Sequence, residues 1–197
     1  MWKDAEKFLL KDKYIGPLIK KYGPCKIKPS KKKDYFLDLV DAIVNQQLSF
    51  KAAATIFGRL KEKVDGEVSP EKLKDLKTEE LRACGLSYAK CSYVKDLAER
   101  VISKKLQIKK LDKLSDEEVE RELIAVKGIG KWTAEMFLMF SLARPDIFPV
   151  DDLGIKKGTD KLLGRPVKSD NLAKYAERWK PYRTIASWYI WQSLDNG

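Results

Sequence analysis

Apolar side chains recur every three or four residues along most of this chain, the spacing of one face of a helix. Phe36, Leu39, Val40, Ile43 and Val44 fall at i, i+3, i+4, i+7 and i+8. Ser49 is placed to cap a following helix whose apolar positions include Ala52, Ala53, Ile56, Phe57 and Leu60, with Gly66 ending it. Ser69-Pro70-Glu71 and Thr78-Glu79-Glu80 predict two short helices, and Gly85 stops the second. Ser87 opens a longer helix carrying Val94, Leu97, Ala98 and Val101 on one side. Ser115-Asp116-Glu117-Glu118 is a capping box, and its helix is expected to run to about Val126.

A tight turn, Lys127-Gly128-Ile129-Gly130, then leads into Lys131–Phe140. That stretch is apolar nearly all round, which predicts a central, buried helix. Pro145 and Pro149 interrupt the chain, Asp151-Asp152 start another helix, and Gly164-Arg165-Pro166 ends it. Two further helices are expected at roughly Asn171–Lys180 and Thr184–Leu194. No alternating strand pattern extends beyond a few residues, so the expected class is all-α.

Charge changes this picture. The 197 residues include 40 Lys+Arg against 29 Asp+Glu, a formal net charge of +11. Such an excess points to an acidic partner, nucleic acid foremost, although a Lys-rich soluble surface accounts for it equally well. Lys31-Lys32-Lys33, Lys104-Lys105, Lys109-Lys110 and Lys156-Lys157 are scattered, which suits a folded basic face better than a disordered tail. The chain has no histidine. Ser-His-Asp and Cys-His nucleophile systems, histidine bases and histidine metal sites are therefore excluded. Cys25, Cys84 and Cys91 form no CxxC pair, and reduced thiols in an intracellular setting are expected. The charged first residues resemble no secretory signal, and no run approaches the roughly 18 apolar residues of a spanning helix.

Three local signals could carry chemistry. Glycines at a helix–turn–helix junction allow a sharp turn that exposes backbone N–H groups to a phosphate, or serve as an ordinary helix end. Two adjacent acids, Asp151 and Asp152, stand at a helix start; one suffices as a cap, leaving the other to face a cleft. Trp179, Tyr182, Trp188, Tyr189 and Trp191 crowd the C-terminal segment, either as core or as an aromatic wall for a flipped base.

Together these signals resemble the helix-hairpin-helix (HhH-GPD) DNA glycosylase superfamily, and within it the 3-methyladenine DNA glycosylase II group. The likeness runs from about Lys13 to Leu194. It rests on Ala42–Ser49 with Ala52-Ala53-Ala54, on Leu123–Ala134, on Phe148–Gly154 and on Tyr175–Arg183, all in order. The sequence departs from the pattern at Lys127, where many members carry Pro. It has no room for an N-terminal β-domain, and it lacks a C-terminal four-cysteine cluster.

The resemblance implies a two-lobed helical glycosylase fold over 1–197, with lobes at about 34–145 and at 1–33 plus 146–197. It makes Asp152 the catalytic carboxylate, stabilising the positive charge that develops on the sugar as the base departs. Trp132, Met136 and Trp191 become the base pocket, whose electron-rich rings suit cationic alkylated purines. Gln47 or Leu48 is the wedge that fills the gap left by a flipped base, and Ser49 beside it also contacts DNA. Gly128, Ile129, Gly130 and Lys131 contact DNA, while the carbonyls of Ile124, Val126 and Ile129 hold a structural Na+ or K+. The lysine that cleaves the strand in bifunctional relatives falls where this chain has Trp132, so lyase activity is not expected. Neither a required cofactor nor an iron–sulfur cluster is expected. The implied partner is double-stranded DNA with damaged bases, acted on by a monomer away from membranes. A glycosylase for deaminated or oxidised bases, a non-catalytic hairpin DNA binder and a Lys-rich interaction module remain the alternatives.

Overall fold

The computed structural model describes residues 1–30 and 34–195; the Lys31-Lys32-Lys33 run lies outside them. The described residues are helical and include no strand. Among the described residues twelve α-helices follow one another: α1 Lys3–Leu9, α2 Ile15–Tyr22, α3 Tyr35–Asn45, α4 Phe50–Lys63, α5 Pro70–Asp75, α6 Thr78–Ala83, α7 Tyr88–Ile102, α8 Asp116–Ile124, α9 Lys131–Met136, α10 Leu153–Leu163, α11 Ser169–Ala176 and α12 Arg183–Asp195. Short 3-10 turns at Ile108–Lys113 and Glu177–Trp179 and a π-helical stretch at Phe137–Ser141 complete the set.

Local polar signals start many of these helices where the sequence places them. The side chains of Asp34, Ser49, Ser69, Ser87 and Ser115 each accept a hydrogen bond from the backbone N–H three residues on. Glu118 completes the capping box by accepting the Ser115 N–H at 2.8 Å. Asp12 does the same just before α2, accepting the Tyr14 and Ile15 N–H groups at 2.9 and 3.0 Å, whereas α1 has no side-chain cap.

The chain divides into two compact units, Ser30–Phe137 and Met1–Pro29 with Leu138–Gly197. The sequence placed the second crossing near residue 145, at Pro145, because the apolar run from Trp132 to Phe140 offers no earlier break. In the unit 30–137, α7 packs against α3, α5 and α6, α3 against α4, and α8 against α9. Leu39, Ile43, Leu60, Leu73 and Leu97 are fully buried. In the other unit α12 packs against α1, α2 and α10.

The helix buried on every side is α12, not the one that follows the glycine turn. Thr184 to Ile190 are seven consecutive buried residues. Their polar members find partners nearby: Thr184 Oγ1 accepts the Ile147 N–H at 2.9 Å, and Ser187 Oγ donates to the Arg183 carbonyl at 2.9 Å. After the turn, Thr133, Ala134 and Glu135 are buried, but Trp132 is 45% exposed and Phe140 41%. The expectation of a wholly buried helix at 131–140 is thus corrected. Apolar composition all round a helix also fits one with rings left open on part of its surface.

Candidate active site and nucleic-acid interface

In the discontinuous unit, Pro149 opens a turn, its carbonyl accepting the Asp152 N–H at 3.0 Å, and Asp152 becomes the N-cap of α10. Its Oδ1 accepts the Ile155 N–H at 2.8 Å and the Trp191 indole Nε1–H at 2.9 Å. Two donors on one oxygen, one from α10 and one from α12, fix the direction of the carboxylate. Asp151 is exposed and stands 3.8 Å from the Lys156 ammonium. So the acid that caps is Asp152 itself, and the other faces outward. The cap thus falls on the residue expected from the sequence to carry the chemistry, not on its neighbour.

Glycine makes this arrangement possible. A Cβ on Gly154 would stand 2.8 Å from Trp191 Cδ1 and Nε1, and 3.0 Å from Asp152 Oδ1. One turn later, a Cβ on Gly158 would meet Ile190 Cγ2 at 2.4 Å. The bare i, i+4 pair lets α12 lie against the first two turns of α10. The Trp191 ring also meets Phe140, with ring centroids 5.9 Å apart. Of the C-terminal aromatics, Trp179, Trp188 and Tyr189 are buried core. Trp191 alone of the five bonds to Asp152, and it is half-buried.

The other candidates lie in the unit 30–137. Between α8 and α9 the chain turns through Gly128, whose φ of +77° is left-handed. A Cβ there would come within 2.1 Å of the Tyr93 ring. Gly128 is therefore required twice, by backbone conformation and by space. Gly130 differs. Its φ is −98°, and a Cβ on it would meet nothing within 4 Å. The sequence argument from positive φ holds for the first glycine and not for the second. Ile129 is buried, Lys127 and Lys131 are exposed, and the Val126 carbonyl accepts the Ile129 N–H at 3.1 Å. Ile124 is 44% exposed. Met136 is half-buried one turn beyond Trp132.

The loop from α3 to α4 carries Gln46 to Ser49. Gln47 has a left-handed φ of +56°, which puts the chain reversal at that residue. Leu48 is 40% exposed, and Ser49 caps α4 through the Ala52 N–H. The next residue, Phe50, is 86% exposed, the most open large apolar side chain described. Sequence reasoning passed over it, because a Phe at the head of an amphipathic helix reads as core. The loop is tied to the hairpin by Gln46, whose Nε2 donates to the Gly128 carbonyl at 2.9 Å. It is tied to α7 by Lys90, whose ammonium donates to the Val44 and Gln46 carbonyls at 2.8 and 2.7 Å. Burial holds the Lys90 ammonium below its usual pKa. Asp96, also on α7, accepts the Lys127 N–H at 2.9 Å and the Arg100 Nε–H at 2.8 Å. Burial pushes its carboxyl upward, but these donors outweigh it and hold it below the ordinary carboxylate range.

The thiols take no part in either region. Burial raises all three, Cys25 to about 11. Among the described residues no group of three or more Cys, Asp or Glu side chains could hold a metal ion, and no helix is long and apolar enough to cross a membrane.

Comparison with known proteins gives these features a family. Residues 40–182 match the model of the HhH-GPD superfamily base excision DNA repair proteins. DNA-3-methyladenine glycosylase 1 of Schizosaccharomyces pombe is 39% identical over 187 residues, covering 92% of this chain and 81% of that protein. The solved structure of the S. pombe 3-methyladenine DNA glycosylase in complex with abasic DNA aligns with a TM-score of 0.84 at 36% identity, covering 96% of both chains. That of a DNA-3-methyladenine glycosidase from Bacillus halodurans aligns with a TM-score of 0.87 at 35% identity, covering 98% of this chain and 90% of that one. The matched segment contains both the hairpin and the Asp152 cap, and the likeness extends over nearly the whole chain: this protein belongs to the HhH-GPD superfamily of base excision DNA repair proteins.

Proposed function

We propose that this chain is a monofunctional DNA glycosylase that excises alkylated purines, 3-methyladenine and 7-methylguanine among them, and leaves an abasic site. The observation that carries the reading is the Asp152 carboxylate, directed by the Ile155 N–H and the Trp191 indole on one oxygen. An anion so fixed stabilises the oxocarbenium-like sugar as the C–N bond breaks, and orients the water that adds to C1′. An alkylated purine already carries positive charge and leaves as a neutral base, so no proton donor is needed, in keeping with a chain that has no histidine.

The remaining residues divide between base and backbone. Trp132, Met136 and Trp191 are each assigned to the base, since half-open indoles suit a cationic ring. Gln47 and Leu48 supply the wedge. The exposure of Phe50 adds a second apolar group beside them, suited to insertion against a base step. Gly128, Ile129, Gly130 and Lys131 grip a phosphate, with Ser49 at the groove edge. The open space around Gly130 supports this role, since a phosphate approaching its N–H meets no side chain. The carbonyls of Ile124, Val126 and Ile129 would hold a Na+ or K+; uncharged oxygen donors fit a weakly bound monovalent cation. With Trp132 in the lyase position, no strand cleavage follows base loss. The enzyme acts as an intracellular monomer on duplex DNA.

Base release from methylated duplex DNA tests the reading, with freed bases separated by chromatography. The wild type is expected to release 3-methyladenine or 7-methylguanine, and folded Asp152→Asn to bind DNA without releasing either. Release of only deaminated or oxidised bases would move the substrate class. Salt-sensitive binding with no base released from any lesion would make the protein a binder rather than an enzyme.

A further inference from the structure

The two DNA-facing elements of the unit 30–137 are not independent. Both are fastened to one helix, α7. Lys90, Tyr93, Asp96 and Arg100 recur along it at intervals of three or four residues, which gathers them on one side of the helix. Lys90 closes the end of α3 by donating to the Val44 and Gln46 carbonyls, the last fixed points before the reversal at Gln47. Tyr93 lies under Gly128, so closely that no side chain fits between them. Asp96, braced by Arg100, accepts the Lys127 N–H at the mouth of the hairpin. Gln46 then joins loop to hairpin directly, across 82 residues of sequence.

We infer that this side of α7 is a clamp that sets the wedge loop and the hairpin in one register, with Lys90 as its positioning residue. Its ammonium is engaged by two protein carbonyls. A flexible loop would have to be ordered each time a base is flipped, and that ordering would weaken recognition of the flipped state. A loop held at both carbonyls before the reversal meets the DNA already shaped. The ammonium is suited to this, because three donors on a compact head can serve two carbonyls at once. The inference rests on the glycosylase reading above, through its assignment of Gln47 and Leu48 as the wedge.

The test measures preference for a duplex carrying a tetrahydrofuran abasic-site analogue over the same duplex undamaged. Lys90→Met, folded by circular dichroism, is expected to lose about ten-fold of the wild-type preference, the size of one charged hydrogen bond. Its affinity for undamaged duplex should change less than about two-fold, since phosphate contacts supply that affinity. Lys90→Arg should recover part of the loss. The decisive measurement is a cycle with a loop variant, Gln47→Ala with Leu48→Ala. If Lys90 acts through the loop, adding Lys90→Met to that variant costs almost nothing further. Should Lys90→Met not fold, Gln46→Ala cuts the exposed bridge to Gly128 and must reduce the same preference. Retained preference in the single variant, or multiplicative losses in the cycle, would overturn the clamp. A wild type that shows no preference for the abasic duplex would instead count against the glycosylase reading itself.

Discussion

Around Asp152 the side chains are tied to one another. The carboxylate caps α10, the Trp191 indole donates to the same oxygen, and the bare faces of Gly154 and Gly158 let α12 close in. Around the loop from α3 to α4 the ties run instead through backbone carbonyls, gripped by Lys90 and Gln46, and the side chains are left outward. Leu48 and Phe50 stay open, and Gly130 faces empty space. On the proposed reading the difference separates two jobs. A charge that must meet a transition state has to be oriented before substrate arrives. Groups that must enter a duplex are held by their backbone and left unpartnered at their tips.

Substitutions can break this contrast or sharpen it. The largest effect is expected at Asp152. Asn keeps the cap and the size but loses the charge, so excision should fall about a thousand-fold, roughly 4 kcal/mol of transition-state stabilisation, in single-turnover assays. Unchanged excision would remove Asp152 from the chemistry. Next comes Gly128→Ala, which adds a methyl against Tyr93 at a left-handed φ. About 3 kcal/mol of stability should go, seen as a fall of about 10 °C in thermal midpoint. Gly154→Ala is smaller and of a different kind. The Trp191 ring has to shift, so excision should drop about ten-fold, near 1.4 kcal/mol, while the protein stays folded. Full activity in this variant would show that the indole bond does not direct the carboxylate. Gly130→Ala should do least to the fold, within about 0.5 kcal/mol, because nothing lies near its Cβ. Its DNA affinity should nevertheless fall about three-fold in binding titrations, as the methyl meets phosphate. If Gly128→Ala and Gly130→Ala behaved alike, the hairpin glycines would share one role and the contrast would fail.

What could be read in the sequence was whatever acts over three or four residues. Ser49, Ser69, Ser87 and Ser115 each cap the helix they precede, because donor and acceptor are chain neighbours. Asp152 at a helix start after Pro149 was legible for the same reason. Gly154 was not, although it lies two residues on. Its necessity comes from Trp191, on another helix, and no periodicity encodes that approach. Lys90 was equally hidden: its acceptors lie 44 and 46 residues earlier, and on a helical wheel it is one more surface lysine. The C-terminal aromatics were legible as a cluster, but only tertiary packing separates the core rings of Trp179 and Trp188 from the half-buried Trp191 that meets the carboxylate.

The unit that holds Asp152 is assembled from both ends of the chain. The Tyr189 hydroxyl donates to the Gly23 carbonyl at 2.9 Å, joining α12 to the segment after α2. On a ribosome, residues 30–137 are made as one continuous stretch, whereas α1 and α2 must wait for α12 before their surroundings exist. The carboxylate, too, emerges well before the indole that aims it. Biosynthesis therefore completes the unit 30–137 first and the unit that holds Asp152 last. A chain interrupted before α12 would hold Asp152 without the Trp191 indole that directs it, and on the proposed reading would bind DNA without releasing a base.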